Sequence, residues 1–375
     1  MLSPEETQAR LAEIPNVTVS TGTLLSAHTR FGIGGPADVF AETCNADSFI
    51  AALAIARQSG METVVIGGGT NLIVADGGFR GIVLRFRADR LDAQGNCVLA
   101  EAGADLQELV DFTIAKGLKG LETLAGIPGS VGAAVYGNAG AYGHSISERI
   151  VQVRFYDGQS VRVFGNEECA FHYRESIFKQ RKDWVIFSTE LFLDTADSSV
   201  LREAANDIVK VRNEKFPVTM KCAGSIFKNL LFEELPSAVA LAVPPAVVRE
   251  GKVPAAYFLE QVGAKGAQRG QIHVATYHAN LIYNAGGGSA ADLCALILEL
   301  KNRVRDHFGM EMEEADKIVC ARKYFLHHFL HKTPQSFRVA EIRRRPCPHA
   351  QPRKHVSIEI QPCSCVGRDA TCQRD

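Results

Sequence analysis

The stretch AGIPGSVGAAVYGNAGAYG, residues 125–143, decides most about the fold, because it is dense in glycine and yet composed for packing. It holds six glycines and five alanines in nineteen residues and no charged side chain. Flexible linkers are rich in glycine and serine, whereas this segment interleaves Ile127, Val131 and Tyr136 with small residues. The composition predicts backbone packed closely against a neighbouring strand or against a flat, bulky ligand such as a large cofactor.

A second glycine-rich stretch, VVIGGGTNLIVADGGFRGIVL (residues 64–84), lies upstream. A β-branched strand runs directly into residues 67–71, GGGTN, where several backbone N–H groups share one tight turn. Glycine permits positive φ and close approach, so such a turn suits a phosphate or pyrophosphate. It is neither a P-loop nor a GxGxxG fingerprint, and a plain strand-to-strand turn is the alternative. Together the two segments indicate a bound dinucleotide.

Hydrophobic periodicity outward from these segments indicates a mixture of helices and strands. Helices are predicted at residues 47–60, 106–116, 198–213 and 290–308, and strands at 63–66, 81–84, 97–100, 150–156 and 160–163. The mixture predicts an α+β or α/β class.

Composition narrows the class of protein further. The chain has 375 residues, 46% of them hydrophobic, with 41 Lys+Arg against 42 Asp+Glu. The charge balance argues against nucleic acid or an anionic membrane as the main partner. No apolar run reaches the ~20 residues of a membrane helix, and the acidic start MLSPEETQAR lacks the apolar core of a signal peptide. We expect a cytoplasmic protein of two or three domains, without membrane insertion or an obligate protein partner.

Ten cysteines divide into two groups. Five occur singly in globular sequence without a signal peptide, so reduced, mostly buried thiols are predicted at Cys44, Cys97, Cys169, Cys222 and Cys294.

Residues 321–375 have a different character, with 11 Lys+Arg against 4 Asp+Glu, five histidines and four cysteines. Basic tails can bind nucleic acid or acidic partners. Zinc ligands are conceivable at Cys347, Cys363, Cys365, Cys372, His349 and His355, but the spacing has no CxxC pair. The preferred interpretation is a poorly ordered appendage, such as an out-of-frame extension, with no metal site.

Three polar constellations carry candidate chemistry. Arg174, in FHYRESIFK, can clamp a carboxylate or neutralise charge that develops on one, or it can form a structural salt bridge. Ser225, in KCAGSIFKN, is a candidate nucleophile, proton donor or turn residue; no GxSxG elbow surrounds it, which disfavours hydrolysis. Residues 263–284, with Lys265, His278 and Asn280, suit a phosphate-bearing substrate or are structural.

In combination the motifs resemble the UDP-N-acetylenolpyruvoylglucosamine reductase family of flavoenzymes. The matching stretches occur in the family's order over roughly residues 20–319: TRFGIGGPAD (29–38), GGGTNLIV (67–74), AGIPGSVGAAVYGNAGAYG (125–143), YRESIFK (173–179), AGSIFKN (223–229) and GAKG with HANLIYN (263–284).

The resemblance implies an α+β fold with a two-lobed FAD-binding domain of the vanillyl-alcohol-oxidase (PCMH) type and a smaller α+β substrate-binding domain. The expected divisions are an N-terminal helix or extension (1–20), the FAD domain (21–200, lobes about 21–85 and 86–200), the substrate domain (201–320) and the basic tail (321–375).

The resemblance also implies the reaction. NADPH would reduce a non-covalent FAD, and the enolpyruvyl ether of UDP-N-acetylglucosamine would become UDP-N-acetylmuramate, a peptidoglycan precursor. Arg174 matches the catalytic arginine and Ser225 the proton donor, while Tyr173, Lys228 and Asn229 match substrate contacts. The residues that match the FAD loops are Gly67, Gly68, Gly69, Thr70, Asn71, Gly126, Ile127, Pro128, Gly129, Ser130, Gly132 and Ala133.

Two departures from the family pattern stand out. A gapless match of FGMEMEEADKIVC (308–320) puts Ala315 where the family has a catalytic glutamate, so Glu313, Glu314 or Asp316 would have to substitute. Only 51 positions separate Arg174 from Ser225, which resembles the subtype without an extra tyrosine-bearing loop. A related FAD-dependent oxidase of a small hydroxy acid or phenol, and a catalytically impaired flavin- or nucleotide-binding homologue, are the alternative functions.

Overall fold

The computed structural model describes residues 2–315 and the backbone of residues 317–319. The interpretations of Asp316 and of residues 321–375, including the zinc ligands, fall outside these residues.

The helices begin and end at recognisable signals. Ser3 and Glu6 form a reciprocal capping box at the first helix, and the second and last helices end at left-handed Gly60 and Gly309. In chain order the α-helices are α1 (Pro4–Ala12), α2 (Ala46–Ser59), α3 (Leu106–Ala115), α4 (Val131–Tyr136), α5 (Ile177–Gln180), α6 (Ser198–Lys215), α7 (Ser237–Ala242), α8 (Ala255–Gln261) and α9 (Ala290–Phe308).

The strands are mostly short and group into three main sheets. In chain order they are β1 (Thr18–Leu24), β2 (Pro36–Thr43), β3 (Thr63–Ile66), β4 (Leu72–Val74), β5 (Phe79–Phe86), β6 (Leu91–Gln94), β7 (Cys97–Glu101), β8 (Leu118–Lys119), β9 (Gly140–Ala141), β10 (His144–Ser145), β11 (Ile150–Tyr156), β12 (Val161–Gly165), β13 (Val185–Phe192), β14 (Asp194–Thr195), β15 (Cys222–Ser225), β16 (Leu230–Leu231), β17 (Lys252–Val253), β18 (Gln268–Arg269), β19 (Ile272–Val274), β20 (Leu281–Asn284) and β21 (Lys317–Val319).

The sheet topology separates the chain into an early and a late part. The first sheet, in the order β1-β2-β5-β3, pairs β5 in parallel with β2 and β3. The second, β12-β11-β13-β7-β6, is antiparallel. The third, β15-β20-β19-β18, is also antiparallel and belongs to the late part. β21 returns to the early part and pairs in parallel with β4.

One hydrophobic core joins the first two sheets. It unites Val39 and Ile82 of the first sheet, Val98 and Phe187 of the second and Phe49 of α2, all fully buried. Burial of such side chains supplies about 1.5–3 kcal/mol each. The sheets therefore form one packed body with the glycine segments at its edge.

A second core lies in the late part of the chain, around Phe258, Ile272 and Leu296. Phe31 and Ile73 also belong to it, although both come from the early part. Ile73 lies in β4, just after the first glycine loop, so that loop is anchored to the late part.

The structure confirms the α+β class, with mixed helix and strand content. The predicted strands at 63–66 and 150–156 and the helix at 290–308 have the predicted bounds. The helix predicted at 106–116 ends one residue earlier, and the helix predicted at 198–213 continues to Lys215. The strand predicted at 160–163 is shifted to Val161–Gly165, because the turn before it includes Ser160, whose N–H is bound by Asp157.

Cys169, Cys222 and Cys294 are buried, and Cys44 and Cys97 are exposed. In residues 2–315 and 317–319 no helix is long and apolar enough to cross a membrane.

Candidate active site

The two glycine segments face each other across a cavity of about 300 Å³. β3 leads into Gly67 of the first segment, and α4 lies within the second segment. The Thr70 hydroxyl donates to the carbonyl of Pro128 at 3.2 Å and ties the two loops together. The residues that line the cavity are Gly67, Gly68, Thr70, Arg85, Phe86, Arg87, Asp89, Gly103, Asp105, Pro128, Gly129 and Ser130.

Glycine is required here by close approach. A Cβ on Gly67 would lie 2.8 Å from the Ser130 hydroxyl oxygen, and a Cβ on Gly129, whose φ is +133°, would lie 3.0 Å from Thr70 Oγ1. Within the described residues, the backbone N–H groups of Gly68, Gly69, Thr70 and Gly129 donate no hydrogen bond. Amides left free in tight, glycine-permitted turns form anion-binding concavities. The two loops therefore fit the diphosphate of a dinucleotide such as FAD.

The remaining predicted loop residues make contacts within the protein. Gly69 packs against the His28 carbonyl, and Gly132 packs against Ala102, whose carbonyl accepts the Gly132 N–H at 2.8 Å. Ile127 donates its N–H to Leu124 and Ala133 donates to the Ser130 hydroxyl, at 3.0 Å and 3.4 Å.

Sequence reasoning missed the charged wall of the cavity. Arg85 and Arg87 lie two positions apart at the end of β5, and both line the cavity. Asp105, also in the lining, caps α3 by accepting the N–H of Gln107 at 2.8 Å. Arg87 is held by Glu42 at 3.0 Å. The alternation of arginines at a strand end was the available signal for this wall.

Arg174 lies in a tight turn of strained backbone. Its φ is +59°, a left-handed value that costs a non-glycine residue on the order of 1 kcal/mol. The guanidinium donates to the carbonyl of Gly140 at 2.7 Å and to that of Asn138 at 3.5 Å. Among the described residues it has no carboxylate partner. Arg174 is thus held against the second glycine segment by hydrogen bonds to backbone carbonyls and is not engaged in a salt bridge within the described chain.

Ser225 ends β15 and is half-buried. It follows Gly224, whose φ is +72°, and pairs with Leu281 of β20. Buried Asn280 orients the next residues: its side chain accepts the Phe227 N–H at 2.8 Å and donates to the Phe227 carbonyl at 2.9 Å. Asn280 therefore has a structural role in fixing the turn that presents Ser225.

Lys228 bridges two acidic residues. Its ammonium lies 3.2 Å from Glu175 and 2.6 Å from Glu313, and its side chain is only 14% exposed. Burial opposes the charged form, but hydrogen bonds to Glu313 and Glu175 outweigh it and raise the pKa of Lys228. Burial likewise opposes the charge of Glu175, yet hydrogen bonds to Lys179 and Lys228 keep its pKa below the usual range. Lys228 and Glu175 are therefore both charged at neutral pH.

The other predicted contact residues lie beside this network. Lys252 Nζ is 4.1 Å from the centre of the Tyr173 ring, a cation–π distance. Asn229 accepts the N–H of Ala255, the first residue of α8, at 3.3 Å. His278 accepts the N–H of Asn280 at 3.2 Å, and Lys265 pairs with Glu260.

The C-terminal segment joins the first glycine loop to the Ser225 turn. The Ala315 N–H donates to the carbonyl of Ile226 at 2.7 Å, and the Asn71 side chain donates to the carbonyl of Ala315 at 3.2 Å. Glu314 pairs with Lys301 of α9 at 2.9 Å. Of the two described candidates for the missing acid, Glu313 therefore contacts Lys228, whereas Glu314 is engaged by α9.

These contacts form a closed series that starts and ends at the first glycine loop, which we call the contact ring. Thr70 binds Pro128 of the second glycine segment, and Gly140 of the same segment binds Arg174. The adjacent Glu175 binds Lys228. The ring returns through Ile226 and Ala315 to Asn71, next to Thr70. It brings the segments of Arg174 and Ser225 to the two glycine loops.

A two-sheet α+β body with an anion-binding cradle at its edge defines a dinucleotide-binding protein of the FAD class. In agreement, residues 37–163 match the family model described as FAD binding domain. Residues 216–319 match the model described as UDP-N-acetylenolpyruvoylglucosamine reductase, C-terminal domain. The chain belongs to the UDP-N-acetylenolpyruvoylglucosamine reductase family.

Relatives and a solved structure agree with this assignment. A UDP-N-acetylenolpyruvoylglucosamine reductase of Solibacter usitatus is 66% identical over 305 residues, 81% of this chain and 98% of that protein. The reductase of Bacillus subtilis is 34% identical over 79% of this chain and 92% of its own length. The crystal structure of UDP-N-acetylenolpyruvylglucosamine reductase from Thermus caldophilus superimposes with a TM-score of 0.63 at 27% identity, over 80% of this chain and 99% of that one.

Proposed function

We propose that this protein reduces UDP-N-acetylenolpyruvoylglucosamine to UDP-N-acetylmuramate in the cytoplasm, with NADPH as the reductant and a non-covalent FAD. The proposed identity of the substrate is supported by the names of the relatives, which include it. The free amides of the glycine loops support the cofactor, because they can bind its diphosphate. When bound, FAD supplies hydride transfer from NADPH to the vinyl carbon remote from the substrate carboxylate.

Arg174 stabilises the negative charge that hydride addition places on the carboxyl-bearing side of the substrate. A fixed guanidinium acts strongly in such a role because it needs no reorganisation as charge develops. The bonds from Arg174 to Gly140 and Asn138 supply that fixation, and they leave the guanidinium without a competing carboxylate in the described part of the chain.

Ser225 donates its hydroxyl proton to the carbon adjacent to the carboxylate and recovers a proton from solvent. A serine hydroxyl is a weak acid, but the carbanionic carbon is strongly basic, so placement matters more than acidity. A hydride and a proton are thereby added across the double bond while NADPH becomes NADP⁺.

The contact ring is the observation that carries the proposal. It supports a common site because the cofactor loops, Arg174 and the Ser225 turn are joined by direct contacts although they come from four separate parts of the chain. We also propose domain divisions near residues 20, 200 and 320, which would put the site between an FAD domain and a substrate domain.

The test separates the two half-reactions. Ser225→Ala is expected to preserve bleaching of the flavin absorbance by NADPH and to reduce turnover with the enolpyruvyl substrate at least hundredfold. Ser160→Ala, in the exposed turn before β12, serves as the control and is expected to retain both. Full substrate reduction by Ser225→Ala would disprove the role of this hydroxyl, and a protein that takes up no FAD would disprove the proposed function.

A flavin-binding homologue with impaired turnover is the second candidate, and Ala315 favours it. The family resemblance assigns an acid to this position, whereas alanine stands here and donates its backbone N–H to the Ile226 carbonyl. NADPH consumption by the unaltered chain, compared with Ala315→Glu, decides between the two. Turnover only in the Ala315→Glu protein supports the impaired homologue, and comparable turnover in both excludes it.

A further inference from the structure

Arg212 lies at the edge of the second glycine segment, outside the motifs that suggested the site. It belongs to the last turn of α6, and its side chain covers the backbone of Gly126. A Cβ on Gly126, whose φ is +75°, would lie 3.2 Å from Arg212 Cδ and 3.4 Å from Arg212 Nε. The absence of a side chain at position 126 therefore makes the room that this guanidinium occupies.

The Nε of Arg212 is buried and has no hydrogen-bond partner within the described residues. A buried N–H without a partner costs about 1–3 kcal/mol, more when it is charged, so such groups call for an explanation. Burial lowers the pKa of Arg212; Tyr142 opposes the shift, and the positive charges of Arg174 and Arg30 add to it.

We call Arg30, Arg174 and Arg212 the arginine cluster, because each of them adjoins one of the two glycine segments. In the part of the chain that the structure describes, none of the three has a carboxylate within 4.0 Å. Each of the three contacts a glycine of the site. The backbone N–H of Arg30 donates to the Gly69 carbonyl at 3.2 Å, the Arg174 guanidinium binds the Gly140 carbonyl, and the Arg212 side chain covers Gly126.

Some of the other described arginines have acidic partners. Arg202, on the same helix as Arg212, pairs with Asp111 of α3, and Arg149 pairs with Asp194 at 2.8 Å. Like charges held together without counter-charges repel each other, so an anionic ligand that joins them is stabilised by all three. Guanidinium groups bind pairs of phosphate oxygens in a bidentate manner, and a diphosphate offers several such oxygens.

We propose that Arg212, supported by Arg30 and Arg174, binds a diphosphate through its guanidinium group. The inference rests on the proposed function, which places two diphosphates in this protein, one in FAD and one in the sugar nucleotide. The shared chemistry is the diphosphate, and the experiment identifies its source.

The experiment uses the full chain and measures binding, not turnover. FAD is titrated into apoprotein, with quenching of flavin fluorescence as the signal. UDP-N-acetylglucosamine, a probe that keeps the diphosphate but lacks the reacting group, is titrated into FAD-loaded protein, with the flavin absorbance change as the signal. Arg212→Gln is expected to raise one of the two dissociation constants at least tenfold and to weaken its dependence on salt, because a charge contact is lost.

Arg202→Gln is the matched control, since it removes the same charge from the same helix. It is expected to change neither constant more than twofold. Arg212→Lys keeps the charge and the aliphatic stem but loses the fork of donors, so we expect at least a threefold loss for the same ligand. Circular dichroism verifies that each variant is folded. If Arg212→Gln does not fold, the affinity of Arg212→Lys tests the inference.

Each outcome bears on the inference. A loss for FAD alone assigns the cofactor as the source, and a loss for the probe alone assigns the sugar nucleotide. Wild-type protein that binds both ligands, with Arg212→Gln and Arg212→Lys binding them equally well, overturns this inference and leaves the proposed function intact. An equal loss in Arg202→Gln also overturns it. Wild-type protein that binds neither ligand overturns the proposed function and this inference together.

Discussion

Replacing Gly67 by alanine is a direct test of the cradle between the glycine loops. The new Cβ would lie 2.8 Å from Ser130 Oγ, whereas ordinary contacts begin near 3.4 Å. The Ser130 side chain must therefore rotate, and it then gives up the hydrogen bond with which it caps α4 at the Ala133 N–H. Loss of such a cap costs about 1 kcal/mol.

The methyl group would also occupy space beside the free amides that fit a diphosphate. We expect Gly67→Ala to lower the stability of the apoprotein by about 1 kcal/mol, the value of the cap. We further expect a dissociation constant for FAD at least tenfold higher, which corresponds to about 1.4 kcal/mol. Thermal unfolding of apoprotein measures the first effect and fluorescence quenching of FAD measures the second.

Gly77→Ala is the matched control, because a Cβ there meets nothing within 4 Å and its φ is not left-handed. This substitution is expected to leave FAD affinity unchanged. If Gly67→Ala binds FAD as tightly as Gly77→Ala does, the diphosphate does not lie where we place it and the argument from the free amides is wrong.

Other predictions concern the charge network and one histidine. Lys228→Met is expected to cost about 1–2 kcal/mol of unfolding free energy at neutral pH, because charge-assisted bonds to Glu175 and Glu313 are lost. The pKa of Glu175 is lowered in the fold, so its contribution is present above about pH 4.3 and is lost as the pH falls through the folded value. Wild-type and Lys228→Met stabilities should therefore converge in acid, and a difference that persists there would refute the ionic origin. Burial and the charge of Lys215 lower the pKa of His278, so its stabilising contribution is present above about pH 6.5 and is lost below it. His278→Phe is expected to flatten the decline of melting temperature below pH 6.5, and an unchanged slope would contradict this assignment.

Long elements with a clear apolar stripe were predictable from the sequence. The apolar stripe of α9 gave both bounds, and the structure adds the caps at Ser289 and Gly309. α4 was not predicted, because six small and apolar residues show less than two helical turns and carry no distinct stripe. Gly132, which signals a loop, instead allows α4 to pack closely against Ala102, the residue that follows β7.

The site was predictable in its parts but not in its assembly. Motif composition pointed to the glycine loops, and the family resemblance pointed to Arg174 and Ser225. The contact ring depends on pairings across the whole chain, such as Asn71 with Ala315, 244 positions apart. Arg212 carried no local signal, because its significance comes from a missing partner, and only the folded arrangement reveals a missing partner.

The return of β21 to β4 has a consequence for biosynthesis. Domains fold from the N-terminus as the chain leaves the ribosome, so Asn71 and the first glycine loop emerge long before Ala315 exists. A nascent chain therefore holds both glycine loops before β4 has its partner strand and before Asn71 can bind Ala315, and the first loop gains these contacts only after translation has passed residue 319. A chain released before Glu313 would carry a complete first core, but its contact ring could not close.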